Sequence, residues 1–361
     1  MTRPTRARID IAAFVDNYRH AKALAAGARA VAVVKADAYG HGAVELSRAL
    51  AGEADAFGVA CLEEAMELRA SGVANAIVLL EGVFTPDELV DVDREHMIQV
   101  VHADHQLQWL LDSRPQRPYR VWLKLDSGMH RLGFDRDGFR RAHAELAACA
   151  HVGEIVHMTH FARADETDIA YTQQQLSAFH DATRDLEHAT SVANSPATLA
   201  WPATRSGWVR PGIMLYGASP LQQRQATDAA LRPVMRLESA IIAMRTLAVG
   251  DAVGYGGRFV CEQATRIGVV AIGYGDGYPR HAADGTPVMV DGIRTRIVGR
   301  VSMDMLTVDL GPVPHARVGS LVELWGPHVS ANEVARYADT IAYELFTGVT
   351  RRVPRVYAAQ P

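Results

Sequence analysis

The chain has 361 residues, 48% of them hydrophobic and 22% charged, so it is long enough for one large domain and one smaller domain. Its 37 basic and 41 acidic residues give a net charge of −4, and no basic stripe with interleaved aromatic residues indicates a nucleic-acid partner. No apolar run is long enough to span a bilayer, and no apolar segment follows the basic N-terminus, so neither a membrane association nor a signal peptide is predicted. Three scattered cysteines without metal-ligand spacing predict reduced thiols, a cytoplasmic location and no metal site.

Strand-like and helix-like segments alternate over the first 216 residues. Asp10 is a predicted N-cap for a helix from Ile11 to Ala25. Eight apolar segments are predicted strands: Ala30–Lys35, Ala56–Cys61, Ala76–Glu81, Met97–Val101, Arg120–Leu125, Glu154–Thr159, Thr190–Asn194 and Arg210–Tyr216. Helical patterns between them include Ala43–Leu50, Leu62–Ala70, Pro86–Asp93 and Ile169–Leu186. This alternation is typical of an α/β fold, a (β/α)₈ TIM-type barrel.

From about Leu231 the pattern changes to short β-rich segments separated by glycine and aspartate turns, which predicts a mostly antiparallel β domain. One helix, Ala331–Tyr337, is predicted to interrupt this domain. Gln222–Ala230 is the predicted linker. We therefore expect a barrel domain over residues 1–229 and a C-terminal β-rich domain over residues 230–361.

A lysine follows the apolar run Val31–Val34, and a glycine-rich turn follows the lysine. Partial desolvation of an ammonium group favours the neutral amine, which makes Lys35 a candidate for carbonyl chemistry such as Schiff-base formation. Because catalytic groups of such barrels lie at the C-terminal ends of the strands, this position favours a functional lysine. The alternative is a lysine that extends from the end of the barrel without a role.

Several motifs occur in the order expected for one family. They are V-V-K-A-D-A-Y-G-H-G at 33–42, K-L-D-S-G-M-H-R-L-G at 124–133, H-F-A at 160–162, N-S-P at 194–196 and V-G-Y-G at 253–256. Together they resemble the alanine racemases, pyridoxal-phosphate (PLP) enzymes built on a barrel. The resemblance extends from about Ile9 to Tyr343, and it also guided the count of eight strands.

The resemblance implies a role for each matching residue in the cofactor site. Lys35 would bind PLP covalently, Arg131 would bond its phenolic oxygen and approach the substrate carboxylate, and His160 would pack against the pyridine ring. Arg210 would face the pyridine nitrogen and keep it an unprotonated acceptor, because a guanidinium does not give up its proton. The phosphate would be held by Tyr39, Ser195, Gly212, Ile213 and Tyr343.

Three further positions carry expectations of their own. Lys124 matches a lysine that is carbamylated in some relatives, the alternative being a plain surface ion pair. Ser191 stands where many relatives have a histidine that supports the arginine, so the hydrogen bonding of Arg210 is open at this stage. His157 is expected to be a satisfied core histidine.

Racemisation requires a base on each face of the substrate Cα. By resemblance Lys35 serves one face and Tyr255 the other, after a shift of the tyrosine pKa from about 10. Met303 would give a backbone N–H to the substrate carboxylate. An access corridor would be lined by Asp165, Tyr274, Arg280, Arg300 and Asp304. Since the β domain of relatives completes the site of the other subunit, the resemblance implies a homodimer with shared active sites.

The sequence thus predicts an alanine racemase that supplies D-alanine for peptidoglycan. A broader-specificity or catabolic racemase of the same fold is the alternative. A barrel PLP decarboxylase is disfavoured by Arg210, since a carboxylate would be expected there. A single-barrel PLP carrier is disfavoured by the β domain and by Tyr255.

Overall fold

The computed structural model describes residues 3–223 and 225–358. Its strands are β1 Arg6–Asp10, β2 Arg29–Val33, β3 Ala56–Val59, β4 Ala76–Leu79, β5 Ile98–Val101, β6 Tyr119–Lys124, β7 Val152–Met158, β8 Ala189–Ser191, β9 Trp208–Val209, β10 Met235–Leu247, β11 Ala252–Val253, β12 Phe259–Val260, β13 Thr265–Val270, β14 Pro287–Val290, β15 Ile293–Arg296, β16 Leu306–Asp309, β17 Leu321–Trp325 and β18 Arg355–Ala358.

The α-helices are α1 Ile11–Leu24, α2 Ala43–Leu50, α3 Leu62–Ala70, α4 Leu89–Arg94, α5 Asp104–Asp112, α6 Arg136–Ala148, α7 Tyr171–Thr183, α8 Ser195–Ala200, α9 Ala331–Tyr337 and α10 Ala342–Gly348. Short 3₁₀ turns occur at Pro86–Glu88, Pro202–Thr204, Ile213–Tyr216, Tyr255–Gly257 and Tyr274–Asp276. Residues Lys35–Gly40 form one further helical turn, described below. Among the helices described, none has the length and apolar character needed to cross a membrane.

Strands β2 to β9 form a parallel barrel in the order β8-β7-β6-β5-β4-β3-β2-β9. Its two edge strands are joined at the seam by the Ser191 hydroxyl, which donates to the Trp208 carbonyl at 3.1 Å. Just beyond the strands, the Arg210 N–H donates to the Ala193 carbonyl at 2.8 Å. Inside the barrel, the rings of Trp122 and Trp208 lie 5.5 Å apart and are fully buried. An aromatic side chain of this size buries about 150–250 Å², so these two rings make up a large part of the packing inside the barrel.

The second sheet has the strand order β15-β14-β17-β10-β1-β18, with β13 joining β10 to β16. Every pairing in it is antiparallel except that of β1 with β18. The predicted fold class, a TIM-type barrel followed by a mostly antiparallel β domain, is confirmed. The sequence missed β1, whose charged residues Arg6 and Arg8 alternate with the buried Ala7 and Ile9.

The predicted strand at residues 210–216 is wrong. The last barrel strand is β9, and residues 213–216 form a 3₁₀ turn. Pro211 has no N–H to donate to a strand ladder, so regular pairing ends there, although its carbonyl still accepts from the Val33 N–H at 3.0 Å. Two α-helices rather than one interrupt the β domain, because α10 follows α9 and its N-cap Ile341 offers no side-chain acceptor that would mark its start.

Helix α1 begins at Asp10 as predicted, and the Asp10 carboxylate accepts from the Ala13 N–H at 2.9 Å. The predicted linker Gln222–Ala230 contains no strand or helix in its described part, and Arg224 lies outside the described residues. The boundary between residues 229 and 230 stays a prediction.

Candidate active site

A cavity of about 1000 Å³ lies at the C-terminal ends of the barrel strands. In a parallel β/α barrel, the side chains that follow the strands meet at this end. The predicted site residues that line it are Lys35, Tyr39, Lys124, Arg131, His160, Asp165, Ser195, Arg210, Gly212, Ile213 and Tyr343. The structure therefore brings together residues that are up to 308 positions apart in the chain.

The turn that begins at Lys35 is left-handed. Four consecutive non-glycine residues, 36 to 39, have φ between 50° and 53°. Such a conformation costs roughly 1–2 kcal/mol per residue for L-amino acids, so the surrounding structure must impose it. Glu64 accepts from the Ala36 N–H at 2.7 Å, and Asp37 accepts from the Ala43 N–H at 2.8 Å. The turn directs both Lys35 and Tyr39 to the cavity.

Tyr39 is held among other aromatic rings. It stacks on Tyr216 at 4.8 Å and lies 5.7 Å from Tyr343, which α10 of the β domain supplies. The Tyr216 hydroxyl donates to the Val33 carbonyl at 2.8 Å and fixes this ring against the barrel. Burial raises the pKa of both Tyr39 and Tyr343, so their hydroxyls remain neutral donors suited to an anionic partner.

Ser195, Gly212 and Tyr39 form a narrow cradle. Ser195 opens helix α8, and its hydroxyl oxygen accepts from the Gly212 N–H at 2.7 Å. The Gly212 N–H is thus already engaged, and the Ser195 O–H is the donor that faces a ligand oxygen. A Cβ at Gly212 would lie 2.6 Å from the Tyr39 hydroxyl. Only glycine allows this tyrosine to approach so closely.

We expect Gly212→Ala to weaken PLP binding by at least about tenfold, because the added methyl group displaces the Tyr39 hydroxyl. The measurement is the dissociation constant of PLP, followed by absorbance. Gly52→Ala is the matched control, since a Cβ there meets no atom within 4 Å. Equal affinities of the two variants for PLP would show that the cradle does not bind the phosphate.

Arg210 lies on the inner wall and is 4% exposed. Its guanidinium donates to the Ser191 hydroxyl and carbonyl, both at 2.6 Å, to the Thr159 carbonyl at 2.7 Å and to His160 Nδ1 at 3.3 Å. Burial lowers the pKa of Arg210 to about 9, which still leaves it cationic at neutral pH. Ser191 therefore does support the arginine, although it is not the histidine of many relatives.

His160 and Lys124 line the cavity beside Arg210. Burial and the neighbouring Arg210 hold the pKa of His160 well below its usual value, so the imidazole is neutral. Since its Nδ1 accepts from Arg210, its Nε2 carries the proton. Burial, then Arg210 and Arg131, lower the pKa of Lys124 to about 8. Lys124 is 5% exposed and not in a surface ion pair, and its carbamylation stays a prediction.

These residues fit PLP. The cavity is lined by Lys35, by a cradle of hydroxyl and amide groups that a Cβ would fill, and by a buried guanidinium. A cofactor with an anionic phosphate and an anionic phenolate matches the excess of cations. Bound there, PLP would supply the electron-accepting ring that makes a Cα proton acidic.

Other predicted residues are not brought to the cavity of this chain. Tyr255 is 70% exposed, Met303 is 53% exposed and Tyr274 is 38% exposed. The residues predicted for the second base, the substrate carboxylate and the corridor that do not line the cavity are Tyr255, Tyr274, Arg280, Arg300, Met303 and Asp304. Asp165 is the one predicted corridor residue that lines it.

Two carboxylates near the site were not predicted from the sequence. Glu81 lines the cavity just after β4, and its position at the end of a predicted strand was the available signal. Glu64 accepts from the N–H groups of Ala36 and Ala60, at 2.7 and 2.8 Å, and so supports the left-handed turn. Nothing in the local sequence indicates this second role, because Glu64 lies in the first turn of a helix and looks solvent-facing.

Comparison with known proteins identifies the family. The alanine racemase N-terminal domain family matches residues 9–220, and the alanine racemase C-terminal domain family matches residues 234–357. An alanine racemase of Pseudomonas taetrolens is 52% identical over 99% of this chain and 100% of its own length. A catabolic alanine racemase of Pseudomonas aeruginosa is 53% identical over 99% of both chains.

Solved structures agree. The biosynthetic alanine racemase from Pseudomonas aeruginosa superposes with a TM-score of 0.96 at 48% identity, over 99% of this chain and 100% of that chain. The alanine racemase from Bartonella henselae, with covalently bound pyridoxal phosphate, gives a TM-score of 0.89 at 28% identity over 98% of this chain and 99% of that chain. The chain therefore belongs to the alanine racemase family, the PLP-dependent isomerases of alanine.

Proposed function

We propose that this alanine racemase exchanges the Cα proton of alanine between two bases, Lys35 on one face and Tyr255 of the partner subunit on the other. The observation that carries this proposal is the position of Lys35, which begins a strained turn at the end of β2 and lines the cavity. The phenols that also line it, Tyr39 and Tyr343, are kept neutral by burial, which raises their pKa. Neutral phenols are poor bases, so neither of these two tyrosines is a candidate for the second base.

PLP, when bound, withdraws electron density from Cα and makes its proton removable. Lys35 would hold the cofactor covalently between turnovers and carry the proton on its own face of the substrate. Ser195, Tyr39, Tyr343 and the N–H of Ile213 would hold the phosphate, with Gly212 leaving room for Tyr39. These contacts fix the cofactor at one end, so that the reacting carbon stays within reach of the lysine.

Arg210 would set the reaction type. A cationic guanidinium at the pyridine nitrogen leaves that nitrogen an acceptor and weakens the ring as an electron sink. His160 would support this arrangement, since its Nδ1 accepts from Arg210. A weaker sink would shorten the time in which the deprotonated substrate could take up a proton at an atom other than Cα.

We expect Arg210→Glu to slow racemisation and to raise the ratio of transamination to racemisation, with racemisation measured by chiral chromatography and transamination by the pyruvate that is formed. Arg210→Lys is the matched control, because it keeps a cation in the same buried position. If both variants lost the two activities in equal proportion, Arg210 would have only a structural role.

The partner subunit would supply the remaining residues. Tyr255, Met303 and Tyr274 are exposed on the β domain and are therefore available to contact another surface. A two-fold homodimer would place them over the cavity of the other chain. There Arg131 and the Met303 N–H would bind the substrate carboxylate, and Asp165, Tyr274, Arg280, Arg300 and Asp304 would line the corridor.

In the cell we propose that the enzyme supplies D-alanine for peptidoglycan. A catabolic role is the second candidate, because relatives from Pseudomonas aeruginosa and Pseudomonas putida, 53% and 52% identical, are named catabolic. Purified protein given a panel of L-amino acids should racemise alanine fastest, by chiral chromatography. Deletion in the host should create a requirement for D-alanine. If the deletion strain lost growth on alanine as the only nutrient source but did not require D-alanine, the result would favour a catabolic role.

A further inference from the structure

Three histidines come together on the outer side of the barrel, away from the cofactor cavity. His143 lies on α6, His157 on β7 and His188 just before β8. Their ring centroids are 5.0, 5.0 and 5.1 Å apart in the three pairs. One ring nitrogen of each lies within 4.8 Å of those of the other two. None of the three lines the cofactor cavity, so this cluster is separate from the racemase site.

The cluster is not a set of satisfied core side chains. His157 is fully buried and His143 nearly so, whereas His188 is exposed. His157 Nε2 lies 3.1 Å from His143 Nδ1, but no partner for His157 Nδ1 is found within residues 3–223 and 225–358. Phe139, which is fully buried, packs edge-on against the ring of His157 at 5.1 Å. The cluster therefore opens to solvent only beside His188.

The two buried imidazoles are ready to act as ligands. Burial, then the neighbouring histidines, lower the pKa of His157 to about 3, and burial lowers the pKa of His143. Burial thus favours the neutral imidazole, which is the form that binds a cation. Arg140 is a nearby cation that would repel a bound metal ion. Its guanidinium, however, donates to the Ala182 carbonyl and lies 3.7 Å from the Asp185 carboxylate, which offsets its charge.

The spacing suits a tetrahedral ion. With metal–nitrogen bonds of about 2.0–2.1 Å, two ligand nitrogens of a tetrahedral site are about 3.3 Å apart. The His143–His157 pair is already at 3.1 Å. The third nitrogen, within 4.8 Å, needs to move by roughly 1.5 Å. His188 can make this movement because it lies on an exposed segment.

We propose that His143, His157 and His188 bind one divalent transition-metal ion of the Zn²⁺ class, with its fourth position open to water beside His188. Imidazole nitrogen is a preferred ligand of these ions, and the cluster contains no carboxylate that would favour Mg²⁺ or Ca²⁺. The ion would join helix α6, strand β7 and the segment before β8, and so stabilise this side of the barrel.

The test is a calorimetric titration of Zn²⁺ into tag-free holoenzyme that has first been treated with a chelator. His188→Ala removes the exposed ligand with little effect on packing, and His315→Ala removes an exposed histidine of the β domain as the matched control. We expect one tight equivalent per chain in the unchanged protein and in His315→Ala. We expect at least about tenfold weaker binding in His188→Ala.

A thermal unfolding experiment gives an independent readout. Zn²⁺ should raise the Tm of the unchanged protein and of His315→Ala, because it binds only the folded cluster, and at the same concentration should raise the Tm of His188→Ala by less. If Zn²⁺ bound His188→Ala as tightly as the unchanged protein, or if the unchanged protein took up no tight equivalent, the proposal would be wrong.

Discussion

Lys35→Ala should be colourless after purification with PLP and should racemise alanine at least about a thousandfold more slowly than the unchanged enzyme. The substitution removes both the amine that would hold the cofactor and the base on one face of the substrate. It leaves the left-handed turn intact, because the positive φ angles begin at Ala36 and are fixed by Glu64 and Asp37.

The chain has so few lysines that the residue carrying the cofactor can be identified without ambiguity. Only three lysines are present, Lys22, Lys35 and Lys124, and two of them line the cavity. Borohydride reduction followed by peptide mapping should therefore place the cofactor on Lys35 alone. Lys22→Arg, at a half-exposed ion pair with Asp55, is the control and should keep both colour and activity. A reducible linkage on Lys124, or one that survives in Lys35→Ala, would refute the assignment.

Much of this site could be predicted because catalytic side chains of a barrel follow the ends of its strands. Lys35, Lys124, His160 and Ser195 each lie at the last residue of a strand or within four residues after it, and all four line the cavity. In a parallel barrel the C-terminal ends of all strands lie at the same end of the barrel. A residue that follows a predicted strand can therefore be assigned to that end from the sequence. Their chemical roles came from the family resemblance and remain proposals.

The shape of the turn after β2 could not be predicted, since no local rule favours four left-handed alanine, aspartate and tyrosine residues. The carboxylate of Glu64, 28 positions further along the chain, bonds the turn, and this contact exists only once the barrel has formed. The same holds for Tyr343, which reaches Tyr39 from the β domain. Tertiary contacts override local preference here, as they often do at functional sites.

The cluster of His143, His157 and His188 also could not be predicted from the sequence. Its members are separated by 14 and 31 positions, which matches no recognised metal-binding spacing. They meet because a helix, the strand after it and a later loop pack together on one side of the barrel. A strand residue that faces the helices, such as His157, is expected to be core, and only the structure shows which side chains surround it.

The position of Tyr255 leads to the second large effect. In this chain Tyr255 is exposed and does not line the cavity, so a shared site requires that it come from the partner subunit. Tyr255→Ala should then be close to inactive in racemisation while it still binds PLP at Lys35 and stays yellow. Tyr255→Phe is the matched variant, because it keeps the ring and removes only the hydroxyl that would carry the proton.

Mixing two inactive variants distinguishes a shared site from one built by a single chain. Lys35→Ala and Tyr255→Ala are unfolded, combined in equal amounts and refolded with PLP. Random pairing makes about half of the dimers hybrids, and each hybrid has one site with both groups and one with neither. Roughly a quarter of all sites should therefore regain activity, measured as the racemisation rate per chain.

The control mixes Lys35→Ala with the double variant that carries Lys35→Ala and Tyr255→Ala, which leaves no chain with the lysine and should recover nothing. If Lys35 and Tyr255 acted within one chain, every site of the first mixture would still lack one of them. The first mixture would then be as inactive as the control, and the exposed Tyr255 would have no catalytic role across the dimer. Recovery in the first mixture alone would instead require that the two bases come from different chains, because no single chain there carries both.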